Sequence, residues 1–87
     1  MTEQPKVAIV TGAGTGVGKA VAQLLLRTGC CVTLTGRRSK LLEAAASESG
    51  ADSKAVFCHQ ADVRHVEEVD SLFDATIERF GRIDLLF

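Results

Sequence analysis

Four of the eight glycines in this 87-residue chain lie at alternate positions in one short segment, Gly12–Gly18. The β-branched, apolar run Val7–Val10 precedes them, and apolar residues at helical spacing follow. Glycine loses more conformational freedom on folding than any other residue, so such a cluster is costly unless the backbone requires it. A sharp turn from a buried strand into a helix requires it, and the free N–H groups of the helix's first turn favour anions. The segment therefore predicts a strand, an anion-binding turn and a helix.

Strand and helix patterns alternate along the rest of the chain. Short β-branched or apolar runs predict strands, and apolar residues three and four apart predict helices. The predicted strands are 7–10, 30–35, 55–60 and the opening of a fourth within 82–87. Three predicted helices lie between them and are expected to end at Gly29, Gly50 and Gly81. This alternation predicts an α/β fold, a parallel sheet with helices on its faces and right-handed crossovers.

Each predicted helix has one apolar face that we expect to be buried. The expected faces are Val17, Ala20, Val21, Leu24 and Leu25 in the first helix, Leu41, Leu42, Ala45 and Ala46 in the second, and Val66, Val69, Phe73, Ile77 and Phe80 in the third. Ser39 is expected to cap the second helix, because serine hydroxyls accept the unpaired N–H groups of a first turn.

Charge and composition argue against a nucleic-acid-binding protein, a membrane protein and a metal site. The net charge of −1 gives no electrostatic footprint for nucleic acid or an anionic membrane, and no apolar run approaches the length of a membrane span. The three cysteines form no CxxC pair, which favours reduced thiols and a cytoplasmic location. Cys58 is expected to be a core thiol. Cys58 and His59 point to opposite faces of their strand, so a metal site with His65 is disfavoured.

Three phosphate-loop templates can be compared with the glycine segment. The Walker template fails at Ala13 and Ala20, and the GxGxxG template fails because Val17 or Lys19 stands at its third glycine. A third template, Thr-Gly-x-x-x-Gly-x-Gly, is matched fully by Thr11, Gly12, Gly16 and Gly18. A tight turn with no ligand would also use such glycines, but its position between the first strand and first helix favours nucleotide binding.

Each residue of the turn has an expected role. Gly12 and Gly16 let the backbone turn sharply and approach a diphosphate, while Gly18 lets the first helical turn pack closely on the sheet or the cofactor. Thr15 offers a hydroxyl to ribose or phosphate oxygens, and Val17 offers its backbone N–H. Gly14 lies outside the template and is expected only to add flexibility.

The turn, the segment Ala61-Asp62-Val63 and the segment "ERFGRIDLLF" at 78–87 together resemble the short-chain dehydrogenase/reductase family. The resemblance covers the chain from about Pro5. It implies a partial NAD(P)-binding Rossmann domain over 1–87: a doubly wound parallel sheet of order third, second, first, fourth, truncated after the start of the fourth strand. It also implies that Asp62 and Val63 contact adenine. From the residues alone, Asp62 could instead cap the third helix.

The residues after the second strand indicate which dinucleotide is bound. A carboxylate there usually holds a free ribose 2′-hydroxyl, but this chain has Gly36, Arg37 and Arg38. Two guanidinium groups can bind a phosphate dianion in bidentate fashion, so we expect NADP in preference to NAD. The family resemblance implies the same. The alternative is that the two arginines are a solvated loop pair.

Catalytic residues are not found in the sequence. The resemblance implies hydride transfer on an alcohol or carbonyl substrate by a homo-oligomeric protein, assisted by a Tyr-x-x-x-Lys pair, a serine and an asparagine, but the chain contains no tyrosine. We therefore expect the N-terminal fragment of an NADP-dependent oxidoreductase, inactive by itself. The alternative is a complete, short, non-catalytic module that binds a nucleotide or a partner.

Overall fold

The computed structural model describes residues 4–87, and every predicted strand and helix is present in the predicted order. The first three residues of the predicted 1–87 domain lie outside the described part. The elements are β1 (Val7–Val10), α1 (Gly16–Arg27), β2 (Cys31–Gly36), α2 (Ser39–Ser49), β3 (Val56–Gln60), α3 (Val66–Phe80) and β4 (Leu85–Leu86). The predicted α/β fold class is confirmed.

The four strands form one parallel sheet in the order β3-β2-β1-β4. Val7 lies opposite Cys31 on one side of β1, and Ala8 lies opposite Leu85 on the other. The chain thus progresses outward from β1 to β3 and then crosses back to the other side of β1. This is the strand order that the family resemblance implies, and its reversal opens a crevice at the carboxyl ends of the strands.

Alternate strand residues contact different helices. Ala8, Val10, Val32 and Leu34 form the buried core with α1 and α2, joined by Ala13, Ala22, Leu26, Leu42 and Ala45. On the opposite face of the sheet, the hydroxyl oxygens of Thr76 in α3 and Thr33 in β2 lie 3.1 Å apart, a hydrogen-bonding distance. Because successive strand side chains point to opposite faces, the sheet is covered by α1 and α2 on one side and by α3 on the other.

The buried face of α1 differs in part from the prediction. Ala22 and Leu26 are buried and Val21 and Leu25 are half-buried, but Val17 is 71% exposed. Ala20 and Leu24 are also exposed. The contact line follows the i, i+4 series from Gly18 through Ala22 to Leu26, because Gly18 fixes the first turn against the preceding loop.

The buried face of α3 also differs from the prediction. Leu72 and Thr76 are buried, whereas Val66 is 72% exposed and Ile77 is exposed as well. Val69, Phe73 and Phe80 are half-buried. The Thr76 hydroxyl, which donates to the Leu72 carbonyl oxygen at 2.8 Å, turns the neighbouring stripe of the helix toward the sheet. Apolar periodicity alone did not distinguish these two adjacent stripes. In α2, by contrast, Leu42 and Ala45 are buried as predicted.

Glycines lie at the ends of all three helices, as predicted, but the predicted start of α2 is wrong. Gly50 and Gly81 end α2 and α3 with φ of 70° and 85°, and Gly29 follows the end of α1 with φ of 96°. Glycine adopts left-handed backbone of this kind at a lower energetic cost than other residues, because it has no Cβ atom. The prediction for Ser39 is wrong, because Arg38 is the N-cap and Ser39 is already the first helical residue.

The three cysteines are free and half-buried. Cys58 packs against the core, as predicted, and its thiol donates to the Leu42 carbonyl oxygen at 3.5 Å. Burial raises the pKa of the Cys58 thiol above its ordinary value, and it also raises that of Cys31. Within the described residues, no group of three or more His, Cys, Asp and Glu side chains could hold a metal ion, and no helix could cross a membrane.

Candidate functional site

Three cavities lie side by side at the carboxyl ends of β1, β2 and β3. Their volumes are about 340, 310 and 270 Å³. Arg37 lines all three, Gly12 and Gly36 line the first and third, and Asp62 lines the second and third. Because the cavities share these residues, they form one groove that runs across the edge of the sheet from the glycine turn to the end of β3.

The glycine turn begins at the end of β1 and leads directly into α1. Gly12 and Gly16 have φ of 60° and 58°, the left-handed region that other residues rarely adopt. A Cβ atom on either glycine would have no neighbour within 4 Å. These two glycines are therefore required by the backbone conformation, and the space in front of each is open.

Gly18 and Gly14 serve close packing. A Cβ on Gly18 would approach the carbonyl oxygens of Gly12 and Thr11 to 2.2 and 2.9 Å, so α1 begins directly against its own loop. The sequence prediction placed that contact on the sheet or the cofactor. A Cβ on Gly14 would lie 2.9 Å from the Cβ of Leu41, so Gly14 lets the turn approach α2. The prediction that Gly14 only adds flexibility is therefore wrong.

The N-terminus of α1 meets the groove. Thr15 is its N-cap, is exposed and lines the largest cavity, and its side chain makes no capping hydrogen bond with any described residue. The N–H groups of Gly16, Val17 and Gly18 belong to the first turn, where an α-helix has no internal acceptors. This first turn contains no acidic residue. The positive end of the helix dipole is thus uncompensated by a carboxylate in that turn.

Lys19 follows the turn but does not line any of the three cavities. Its Nζ atom lies 2.7 Å from Oε1 of Glu48 on α2. This ion pair joins α1 to α2 outside the groove. The failure of the Walker template, in which a lysine reaches a nucleotide phosphate, agrees with this placement.

Two arginines follow Gly36 at the end of β2. Both Arg37 and Arg38 are exposed and line the largest cavity, whose described lining residues include no carboxylate. Across residues 4–87, neither guanidinium has a hydrogen bond or an ion pair, although the Arg37 carbonyl oxygen accepts from Nε2 of Gln60 at 2.8 Å. This end of the groove therefore presents two unpaired positive charges beside the glycine turn.

Asp62 lies in the turn between β3 and α3. Its Oδ1 accepts the Nε–H and the backbone N–H of Arg64, each at 3.0 Å, and its Oδ2 accepts from Nη2 of Arg64 at 2.8 Å. The hydrogen bonds from the Arg64 guanidinium hold the pKa of Asp62 well below its usual range. The Asp62 N–H donates to Oε1 of Glu68 at 2.8 Å. His65, not Asp62, is the N-cap of α3, so the alternative that Asp62 caps this helix is wrong.

Asp62 does not cap α3 because an additional turn lies between Asp62 and the start of the helix. The His65 N–H donates to the Asp62 carbonyl oxygen at 3.0 Å, and α3 begins only after that turn closes. Sequence reasoning missed the contacts of Arg64 and Glu68 with Asp62. In a known turn pattern, an aspartate side chain accepts the backbone N–H of the residue two positions later. This pattern could have predicted the contact between Asp62 and Arg64. Val63 is exposed and lines the third cavity.

Comparisons with known proteins agree with this architecture. A family model described as short chain dehydrogenase matches residues 6–87. An uncharacterised oxidoreductase of Staphylococcus saprophyticus is 44% identical over 84 residues, which are 95% of this chain and 36% of that protein. The chain thus spans about a third of that relative's length.

Two of the similar solved structures contain a nicotinamide dinucleotide. A short chain dehydrogenase/reductase of Burkholderia phymatum in complex with NAD is 34% identical, with a TM-score of 0.89 over 100% of this chain and 31% of that one. An actinorhodin polyketide ketoreductase variant with NADPH is 33% identical, with a TM-score of 0.86 over 99% of this chain and 33% of that one. Both superpose on the sheet whose edge forms the groove.

Proposed function

Because this chain belongs to the short-chain dehydrogenase family, we propose that it is the N-terminal, cofactor-binding part of an NADP-dependent oxidoreductase. The parent protein transfers a hydride between the nicotinamide and an alcohol or carbonyl substrate. A cytoplasmic location and a homo-oligomeric assembly are parts of this proposal. The three free cysteines support the first, and the family resemblance supports the second.

One observation carries the proposal. The groove combines a helix N-terminus without acidic residues, two left-handed glycines with open space before them, and two arginines without partners among residues 4–87. Backbone N–H groups at a helix N-terminus match the diphosphate of a dinucleotide, and guanidinium groups match an additional phosphate. The groups present therefore fit NADP in both charge and hydrogen-bonding chemistry.

We assign the diphosphate to the glycine turn. Gly12 and Gly16 give the backbone its shape, and Gly18 sets α1 close behind it. The Thr15 hydroxyl and the Val17 N–H then donate to phosphate or ribose oxygens. When bound, the cofactor supplies or accepts the hydride, and this chain's residues bind and orient it.

We assign adenine to the far end of the groove. Asp62 and Val63 line the third cavity together, so one offers a carboxylate to polar ring atoms and the other an apolar surface to the ring. The Asp62 side chain remains 16% exposed. This is the position that the family resemblance implies for the adenine contact.

Arg37 and Arg38 account for the preference for NADP. Arg37 lines all three cavities and Arg38 only the largest, so Arg37 is the main contact for the 2′-phosphate and Arg38 the second. A hydrogen bond to a charged group contributes about 1.5–3 kcal/mol, which corresponds to about tenfold or more in affinity. Gly36 offers no carboxylate to repel that phosphate.

Isothermal titration of the intact protein with NADP and NAD tests the proposal. We expect NADP to bind at least about tenfold more tightly than NAD. Raising the salt concentration should reduce the difference, because it arises from partly exposed charges. Equal affinities, or tighter binding of NAD, would show that the two arginines are only a solvated loop pair.

A further inference from the structure

Arg64 is held against the groove by Asp62 through both its backbone and its side chain. Its guanidinium makes a forked contact with the carboxylate, with Nε 3.0 Å from Oδ1 and Nη2 2.8 Å from Oδ2. Forked contacts of this kind fix the orientation of both partners and not only their distance. The Asp62 backbone is held from the other side, because its N–H donates to Glu68 at 2.8 Å. Asp62 is therefore fixed before any ligand binds.

The contact between Asp62 and Arg64 matters because a second arginine, Arg37, lies in the same part of the groove. Arg37, Asp62 and Arg64 line the same 270 Å³ cavity, and Arg37 and Asp62 line the neighbouring 310 Å³ cavity as well. A carboxylate and a guanidinium that share a cavity attract each other, and the attraction grows as the distance between them falls. In the structure the Asp62 carboxylate pairs with Arg64, and Nε2 of His65 lies 3.6 Å from its Oδ2, whereas Arg37 has no ion pair with any residue from 4 to 87.

We propose that Arg64 is a positioning residue that sets the preference for a 2′-phosphorylated adenosine: by holding the Asp62 carboxylate, it keeps Arg37 available for the phosphate. This inference rests on the proposed function. Without Arg64, the carboxylate would be left with His65, which carries a charge only when protonated, and with Arg37 across the cavities that the two residues share, and it would also repel an incoming phosphate. Both effects weaken binding of the phosphorylated ligand selectively.

Adenosine 2′,5′-bisphosphate and adenosine 5′-monophosphate differ only by the 2′-phosphate and provide a direct test. For the intact protein, the ratio of the two dissociation constants measures recognition of that phosphate. We expect Arg64→Ala to lower this ratio by about three- to tenfold, the range for one partly screened charge interaction. Arg64→Lys should recover part of the loss, because lysine keeps the charge without the forked geometry.

A second substitution separates positioning from direct contact. In the Arg64→Ala background, Asp62→Asn removes the carboxylate that would otherwise compete for Arg37, so the ratio should return close to that of the wild type. Asp62→Asn alone should weaken both ligands and leave the ratio unchanged or higher. Arg27→Ala, an exposed arginine in the last turn of α1, is the control and should change neither affinity. Circular dichroism shows that each variant is folded.

Each result is decisive. An unchanged ratio in Arg64→Ala, or an equal loss of affinity for both ligands, overturns the inference and leaves Arg64 a structural role. A lowered ratio that Asp62→Asn does not restore means that Arg64 contacts the phosphate directly, which also overturns it. A wild-type ratio near one contradicts the proposed preference for NADP itself, and that outcome is visible before any substitution is made.

Discussion

Gly18 lies so close to Gly12 that a Cβ atom on the first would approach the carbonyl oxygen of the second to 2.2 Å. The obstacle is backbone, which cannot move aside as the end of a flexible side chain can. The first turn of α1 thus rests on the loop that leads into it. The two residues fix where the helix N-terminus meets the groove.

Gly18→Ala should therefore lower the free energy of unfolding by about 1–3 kcal/mol, the usual cost of forcing a methyl group into a packed site. It should also weaken dinucleotide binding, because the helix must move away from the turn. Urea denaturation and isothermal titration measure the two effects. Gly36→Ala is the matched control for stability, since its methyl group would lie 3.4 Å from Cδ2 of Leu42, the end of a flexible side chain. A loss of stability in Gly18→Ala no larger than in Gly36→Ala would contradict this interpretation.

Asp84 ties β4 to β1 at the amino end of the sheet. Its Oδ2 accepts the Val7 N–H at 2.8 Å, and its own N–H donates to the Val7 carbonyl oxygen at 2.8 Å. The Arg82 guanidinium donates to Oδ1 at 2.7 Å. These contacts, the hydrogen bond from Arg82 foremost, hold the pKa of Asp84 below its ordinary value of 3.8. Ionised Asp84 therefore stabilises the folded state.

The sign of the pH dependence follows from this lowered pKa. The stabilisation is fully present above the unfolded-state pKa of 3.8, and it is lost as the pH falls through the lower folded-state pKa. Asp84→Ala should lower the urea midpoint at neutral pH, and the difference from wild type should shrink below about pH 4. Asp74→Ala, at an exposed position of α3, is the control. A difference that stays constant down to about pH 3 would exclude the charged carboxylate as its source.

Residues 1–87 expressed alone should associate and should not oxidise NADPH. Among residues 4–87, the β4 strand has a neighbour only on its β1 side, and Leu85, Leu86 and Phe87 are exposed, Leu86 to 56%. An unpaired apolar strand edge of this kind is a template for aggregation. The sequence also contains no tyrosine to serve as the expected proton donor.

Size-exclusion chromatography and an assay against a panel of carbonyl compounds test this prediction. Leu86→Lys should reduce association without restoring activity, because a charge on an exposed edge opposes edge-to-edge pairing. A monodisperse wild-type monomer that turns over NADPH would be incompatible with both parts of the prediction.

The elements of this fold could be predicted from local patterns. Runs such as Val7–Val10 and glycines such as Gly50 and Gly81 mark strands and helix ends through short-range effects that a sequence displays directly. The strand order came from the family resemblance, and the structure confirms it. The positions of the glycine turn and of Arg37 at the carboxyl edge of the sheet follow from that order.

Long-range contacts could not be predicted in the same way. The hydroxyl pair of Thr33 and Thr76 selects the buried stripe of α3, although 43 residues separate the two threonines. The packing of Gly14 against Leu41 depends likewise on how α2 lies against the glycine turn. Both contacts join residues far apart in the sequence and depend on the finished fold, so periodicity and turn chemistry carry no sign of them.

We claim that the end of β2 selects NADP, and exchanging the selectivity of this segment tests that claim most directly. Gly36 has room for a side chain, because a Cβ there would lie 3.4 Å from Cδ2 of Leu42, and its φ lies outside the left-handed region. Gly36→Asp with Arg37→Ala should place a carboxylate against the ribose and remove the main phosphate contact. In isothermal titrations of the intact protein, we expect the preference to reverse, from NADP by at least about tenfold to NAD. A double variant that still prefers NADP would contradict the claim.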